Sequence, residues 1–167
     1  MGDGSDPATH FGPLISRPQR DRVAALVDAA AAAGATVLTG GSVPEGPGHF
    51  HPPTVVTDLP PGTALEVEEQ FGPVIPVIGY TEVEEALARA DATEFGLGAS
   101  LWGDEASARA LAGRLDCGTV WINTHGDLRH DVPFGGAKSS GVGVEYGYLG
   151  LLAYTRPKVL NVRGPRG

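Results

Sequence analysis

Apolar positions along the chain fall into short helical stripes separated by extended runs. The first stripe is Val23, Leu26, Val27 and Ala30, whose spacing places them on one helical face. Its start is predicted at Ser16-Arg17-Pro18-Gln19: Ser16 can cap, Pro18 suits the first turn, and Gln19 completes a capping box. Gly34 is expected to end the helix in the left-handed region. Ala35 to Thr39 and Thr54 to Thr57 read as extended, on either side of a Gly- and Pro-rich loop from Gly40 to Pro53. Pro60-Pro61-Gly62 predicts a turn, and Pro73 to Gly79 a buried strand.

A second capping box, Thr81 and Glu84, precedes a stripe of Val83, Ala86, Leu87 and Ala90. Leu97 to Trp102 reads as a strand, Asp104 caps a third helix reaching Leu115, and Thr119 to Asn123 follows Gly118 as another strand. Thr124 to Gly143 is loop-like, with a short helix near Glu145 to Leu152 and a terminal strand near Lys158 to Val162. This alternation predicts an α/β fold with a mostly parallel sheet flanked by helices. No linker or repeat interrupts it, so residues 1–167 are expected to form one domain, with 1–10 and 164–167 loose.

Composition agrees with a packed domain: 41% of residues are hydrophobic and 19% charged. A chain of 167 residues buries roughly 70% of its unfolded surface. The net charge of −8 argues against a nucleic-acid partner, which needs a concentrated basic face. The apolar run Val23 to Ala33 is too short to span a membrane, and Met1-Gly2-Asp3-Gly4 opens no signal-peptide pattern. With one cysteine, Cys117, no internal disulfide is available, and the expected compartment is the cytoplasm. Ten Arg against two Lys, with abundant Ala and Gly, suggests a GC-rich bacterial genome.

Chemistry concentrates in two segments. In Glu68-Glu69-Gln70-Phe71-Gly72-Pro73-Val74, an extended backbone would put Glu69 and Phe71 on one face. A carboxylate accepts two ribose hydroxyls and a flat ring covers a base, which suits a nucleoside. The alternative is a solvated acidic turn before a core Phe. The second segment, Pro133 to Glu145, is rich in Gly. It is not a Walker A loop, because Ala137 stands where Gly must precede Lys138, and Tyr146 breaks the dinucleotide fingerprint after Gly141 and Gly143. His49 and His51, and His125 and His130, lack any recognised zinc spacing, so no metal site is assigned.

Glu68-Glu69-Gln70-Phe71-Gly72-Pro73-Val74, Gly118-Thr119-Val120-Trp121-Ile122-Asn123, and Pro133-Phe134-Gly135-Gly136-Ala137-Lys138-Ser139-Ser140-Gly141 occur in the order and approximate spacing of the NAD(P)-dependent aldehyde dehydrogenases. The chain resembles the C-terminal part of that superfamily from about Asp6-Pro7 to Lys158-Val159. The resemblance implies the corresponding portion of the family's catalytic domain, with NAD or NADP as cofactor in the completed enzyme and a small-molecule aldehyde as substrate. It implies that Glu69 holds the nicotinamide ribose, that Phe71 is the aromatic beside the cofactor, and that Phe134 lies near the substrate pocket. The loop from His125 to Val132 would line the aldehyde entrance; its polar composition suggests a polar substrate, although a solvated loop would read the same.

Family chemistry begins with a cysteine thiolate attacking the carbonyl. Cys117 follows Asp116 at a predicted helix C-terminus, where partial negative charge disfavours a thiolate, and it does not match the family nucleophile. It reads as a buried structural thiol. The resemblance places the nucleophile, the general-base glutamate, the oxyanion asparagine and most of the cofactor domain upstream, so Met1 is expected to be an internal or alternative start. No catalytic residue is assigned. The partner would be a missing N-terminal half or, through the terminal strand, a homo-oligomer. The competing expectation is a non-catalytic oligomerisation or partner-binding module derived from the same fold.

Overall fold

Ser16 opens the first helix as its sequence predicts: the hydroxyl oxygen accepts from the Gln19 backbone N–H at 3.3 Å, and Pro18 lies in the first turn of α1 (Arg17–Ala32). The structure, a computed structural model, describes residues 1–164. Two compact units divide the chain, Met1–Ala86 and Leu87 onward.

In the first unit the predicted stripe of α1 is buried in full: Val23, Leu26, Val27 and Ala30 join Val56, Leu59, Leu65 and Val74 in one apolar core. Each fully buried Val or Leu contributes about 1.5–3 kcal/mol, so this stripe fixes the helix on the sheet. Gly34 takes φ 105°, as expected for a left-handed helix end. The sheet has the order β1 (Thr36–Thr39), β2 (Thr54–Thr57), β3 (Val74–Val77), with β1 antiparallel to β2 and β2 parallel to β3. Pro76 stands in β3, a sheet-edge strand, where the missing N–H is tolerated. The strand expected there is buried on one face only: Val74 is 2% exposed but Ile75 is 62% exposed. Between β2 and β3 lies α2 (Ala64–Val67), unanticipated because four residues with one buried position, Leu65, give no readable period. Residues 1–10 form local turns, with Gly2 N–H donating to Phe11 O at 3.0 Å and Thr9 N–H to Asp6 O at 2.9 Å.

Next along the chain, α3 (Val83–Asp91) carries the second stripe, of which Leu87 is buried while Val83 is 43% exposed. In the second unit β4 (Phe95–Gly96) and β5 (Gly98–Leu101) lead to α4 (Glu105–Ala112). Asp104 caps α4, its carboxylate accepting from the Ser107 N–H at 2.9 Å and hydroxyl at 2.8 Å. The helix stops at Ala112, before the expected Leu115, with Gly113 as its C-cap. β6 (Thr119–Ile122) pairs parallel with β5. The stretch read as loop contains short strands, β7 (Phe134–Gly135) and β8 (Ala137–Lys138), which pair antiparallel with β9 (Val144–Glu145) and β4. Two-residue ladders are below what periodicity can reveal. α5 (Gly147–Leu152) follows, close to its expected position.

The α/β class stands, but the expected mostly parallel arrangement is mixed. Both parallel pairings are four residues long, and the remaining ladders among the described residues are antiparallel. The strand expected at Lys158 to Val162 is not formed: this stretch has no regular secondary structure, and Val159 and Leu160 are 87% and 84% exposed. A strand needs a partner's backbone, and this stretch has none within the described chain. Of the expected loose tail, residues 165–167 lie outside the described residues.

Gly118, just before β6, fixes how closely the second unit packs on itself. A Cβ there would lie 1.7 Å from Gly135 O, so only glycine admits this backbone approach.

Candidate functional site

The segment from Glu68 to Phe71 is held against α1 by two side chains one turn apart. Gln19 Nε2 donates to Gln70 O at 2.8 Å and Phe71 O at 3.1 Å. Arg22 Nη1 donates to Glu69 O at 2.8 Å, and its Nη2 to Glu68 Oε2 at 3.1 Å. Three consecutive carbonyls therefore face the helix, while Glu69 and Phe71 are exposed. Only the Ser16 half of the expected capping box is present among the described residues, because the Gln19 amide reaches across to this segment.

The extended backbone expected from Glu69 to Phe71 is not what forms. Phe71 has φ 46°, in the left-handed region, so strict alternation of side chains is broken there. Such a conformation costs about 1–3 kcal/mol, comparable with a pair of hydrogen bonds of about 1 kcal/mol each, and the Gln19 amide supplies such a pair. Gly72 comes next and lies hard against the helix: a Cβ on it would meet Val23 Cγ2 at 2.7 Å.

Phe71 is 76% exposed and forms one wall of a cleft of ≈ 280 Å³ with Phe11, Leu14, Ile15, Gln19 and Pro73. The residues fit one end of a dinucleotide. Glu69 offers an accessible carboxylate for two hydroxyls, and Phe71 an accessible ring face, on a backbone pinned to a helix whose inner face is buried.

In the second unit Phe134 and His125 come together around Trp121. The Trp121 ring centroid is 5.3 Å from that of His125 and 6.3 Å from that of Phe134, edge-on to the first and tilted to the second. Ser100 Oγ and His125 Nδ1 are hydrogen-bonded at 2.6 Å, joining the loop to β5. Trp121 Nε1 donates to Asp127 O at 2.9 Å, and Asn123 exchanges hydrogen bonds with the backbone of Gly103 at 2.8 and 2.9 Å. Further along, Arg129 pairs with Asp131 through two bonds, of 3.0 and 2.6 Å, and holds that carboxyl below the usual carboxylate range. Most of the loop's charge is thus matched internally.

Sequence reasoning missed Gln19 and Arg22 at the first site, because Gln19 already had a role as a helix cap, and missed Ser100 and Trp121 at the second. Trp121 carried a signal within Gly-Thr-Val-Trp-Ile-Asn; Ser100 carried none. Glu69 and Phe71 lie in the first unit, His125 and Phe134 in the second.

Cys117 is half-buried, and burial, then the nearby Asp91 carboxylate, pushes its thiol up from the usual value. The expected helix end at Cys117 is not there, since α4 already ends at Ala112, and burial with Asp91 takes its place as the cause. Its Sγ lies 3.4 Å from Thr119 O. No group of three or more His, Cys, Asp or Glu able to hold a metal occurs among the described residues. No described helix is long and apolar enough to cross a membrane.

Comparison with known proteins identifies the family and the fold. The model of the aldehyde dehydrogenase family matches residues 1–160. An NADP(+) succinate-semialdehyde dehydrogenase of Mycobacterium avium is 43% identical over 161 residues, covering 96% of this chain and 34% of that protein. Betaine aldehyde dehydrogenase 1 of Rhizobium meliloti is 42% identical, covering 97% and 34%. The NAD+ complex structure of aldehyde dehydrogenase from Bacillus cereus superposes with a TM-score of 0.82 at 38% identity, covering 89% of this chain and 30% of that one. The chain spans about a third of the length of the relatives it matches. With residues 1–160 of this chain matched by the family model and the fold shared with a solved member, the chain belongs to the aldehyde dehydrogenase family.

Proposed function

We propose that the chain serves as the C-terminal segment of an NAD(P)-dependent aldehyde dehydrogenase, oxidising an aldehyde to a carboxylic acid, and that it is inactive alone. The observation that carries this reading is the pinned Glu68–Phe71 segment, which leaves the Glu69 side chain exposed and presents the Phe71 ring at a cleft. Glu69 accepts the ribose hydroxyls and so fixes the nicotinamide end, while the Phe71 ring lies against the base. When bound, the dinucleotide supplies the hydride acceptor. Phe134, Trp121 and His125 line the aldehyde entrance, with Ser100 orienting the imidazole.

The nucleophile, general base and most of the dinucleotide surface come from an N-terminal portion. Cys117 is unsuited to attack a carbonyl, because its thiol is pushed away from ionisation and it lies half-buried. The isolated chain binds dinucleotide weakly, since Glu69 and Phe71 contact one end of it only. The polar loop from His125 to Val132 supports a polar aldehyde, and the chain works in the cytoplasm.

Co-expression with an N-terminal portion carrying the cysteine tests the reading. Aldehyde-dependent formation of NADH or NADPH is expected from the pair and not from either part. A correctly assembled pair without turnover contradicts it.

A second reading, a non-catalytic assembly module, draws on the exposure of Val159, Leu160 and Val162 at 87%, 84% and 75%. Light scattering after size exclusion separates the readings: this one expects the chain to self-associate, and a monodisperse monomer removes its support.

A further inference from the structure

Gln19 lies in the first turn of α1, where a polar side chain ordinarily faces solvent or returns to the cap. Its amide instead donates to consecutive carbonyls of a segment about fifty residues away, Gln70 O and Phe71 O. The helix beneath it is a firm support, since Val23 is 0% and Val27 2% exposed. At the far end of the segment, Gln70 Nε2 donates to Val74 O at 2.6 Å and ties it to β3. The Gly72 backbone, pressed against Val23, closes the third side.

We propose that Gln19 is a positioning residue for the cofactor-facing segment: by holding the Gln70 and Phe71 carbonyls to α1, it sets how Glu69 and Phe71 are presented to a nicotinamide nucleoside. The identity of the ligand rests on the function proposed above; the grip on the backbone does not. Two carbonyl acceptors need two N–H donors, so a carboxamide is required rather than any polar group of that length. A glutamate of the same shape faces acceptors with acceptors when ionised, and regains one donor when protonated. Arg22 assists from the next turn, but it is exposed and divided between Glu68 and the backbone, so it contributes less.

Hydrogen–deuterium exchange on the purified chain measures the grip directly. The Glu68 and Val74 amides, which donate to Ala64 O and Gly72 O at 2.8 Å each, bracket the segment. In Gln19→Ala these amides exchange about tenfold faster than wild type, with the buried face of α1 unchanged. Gln19→Glu behaves like Gln19→Ala at alkaline pH and moves toward wild type, compared at equal pH, as acid returns the donor. Unchanged exchange at both amides, or faster exchange spread evenly through α1, overturns the proposal.

In the pair assembled with the N-terminal portion, the KM for dinucleotide rises about tenfold in Gln19→Ala, while kcat and the aldehyde KM stay within about twofold. An unaltered dinucleotide KM overturns the positioning role even where exchange is altered. A wild-type pair without turnover counts against the proposed function alone, and the exchange result then decides the grip.

Discussion

The two candidate regions are held in place by different means. The Glu68–Phe71 segment is gripped by side chains from a helix whose inner face is part of an eight-residue apolar core. Around His125 and Phe134 there is little such core: Leu87 and Ala108 are the buried hydrophobic side chains among the described residues from 87 onward. That region relies on close backbone approaches, short ladders and aromatic edges. Under the proposed function, a firm core suits a segment that would meet an invariant nucleoside with fixed geometry, whereas a loop tied by individual bonds can vary with the substrate.

The sharpest break in this contrast comes from Gly118→Ala. Its Cβ would lie 1.7 Å from Gly135 O, so the backbone must move, at a cost of roughly 3 kcal/mol. Urea unfolding followed by Trp fluorescence should show the loss, because Trp121 lies in the affected region. Val23→Ala comes next, at about 2 kcal/mol, since Val23 is 0% exposed and touches both core and Gly72. Its signature is faster amide exchange in the Glu68–Phe71 segment with the Trp121 signal retained.

Ser100→Ala is a smaller change. It removes the 2.6 Å bond to His125, worth about 1 kcal/mol, and in the assembled enzyme should raise the aldehyde KM severalfold while leaving the dinucleotide KM alone. An equal effect on both constants would break the proposed division of labour.

The smallest effect is a pH dependence. Hydrogen bonds from Ser107 lower the Asp104 carboxyl from its usual 3.8. A depressed folded-state value means the cap stabilises α4 above the unfolded-state value and is lost as pH falls through the folded one. Acid titration by circular dichroism should therefore show stability falling below pH 3.8 less steeply in Asp104→Ala than in wild type.

Local signals made most of the elements legible. Ser16 and Asp104 announced their helices, and the Val23, Leu26, Val27, Ala30 stripe announced the core, because capping and periodicity act within a few residues. What stayed hidden depended on contacts distant in sequence. Phe71 takes a left-handed conformation that its own identity disfavours, held by Gln19, and no local pattern reveals that. Ser100 meets His125 across 25 positions, and the pairing of β4 with β8 spans a wider gap, Phe95 lying opposite Lys138. The terminal strand was legible as a propensity, but a strand forms only with a neighbour's backbone.

Turnover assays comparing the purified chain with the pair assembled from it and the cysteine-bearing portion test the central claim most directly. The account predicts no reduced nicotinamide from the chain alone, aldehyde-dependent reduction by the pair, and no dependence of that reduction on Cys117→Ser. Aldehyde oxidation by the chain alone, abolished by Cys117→Ser, would contradict it.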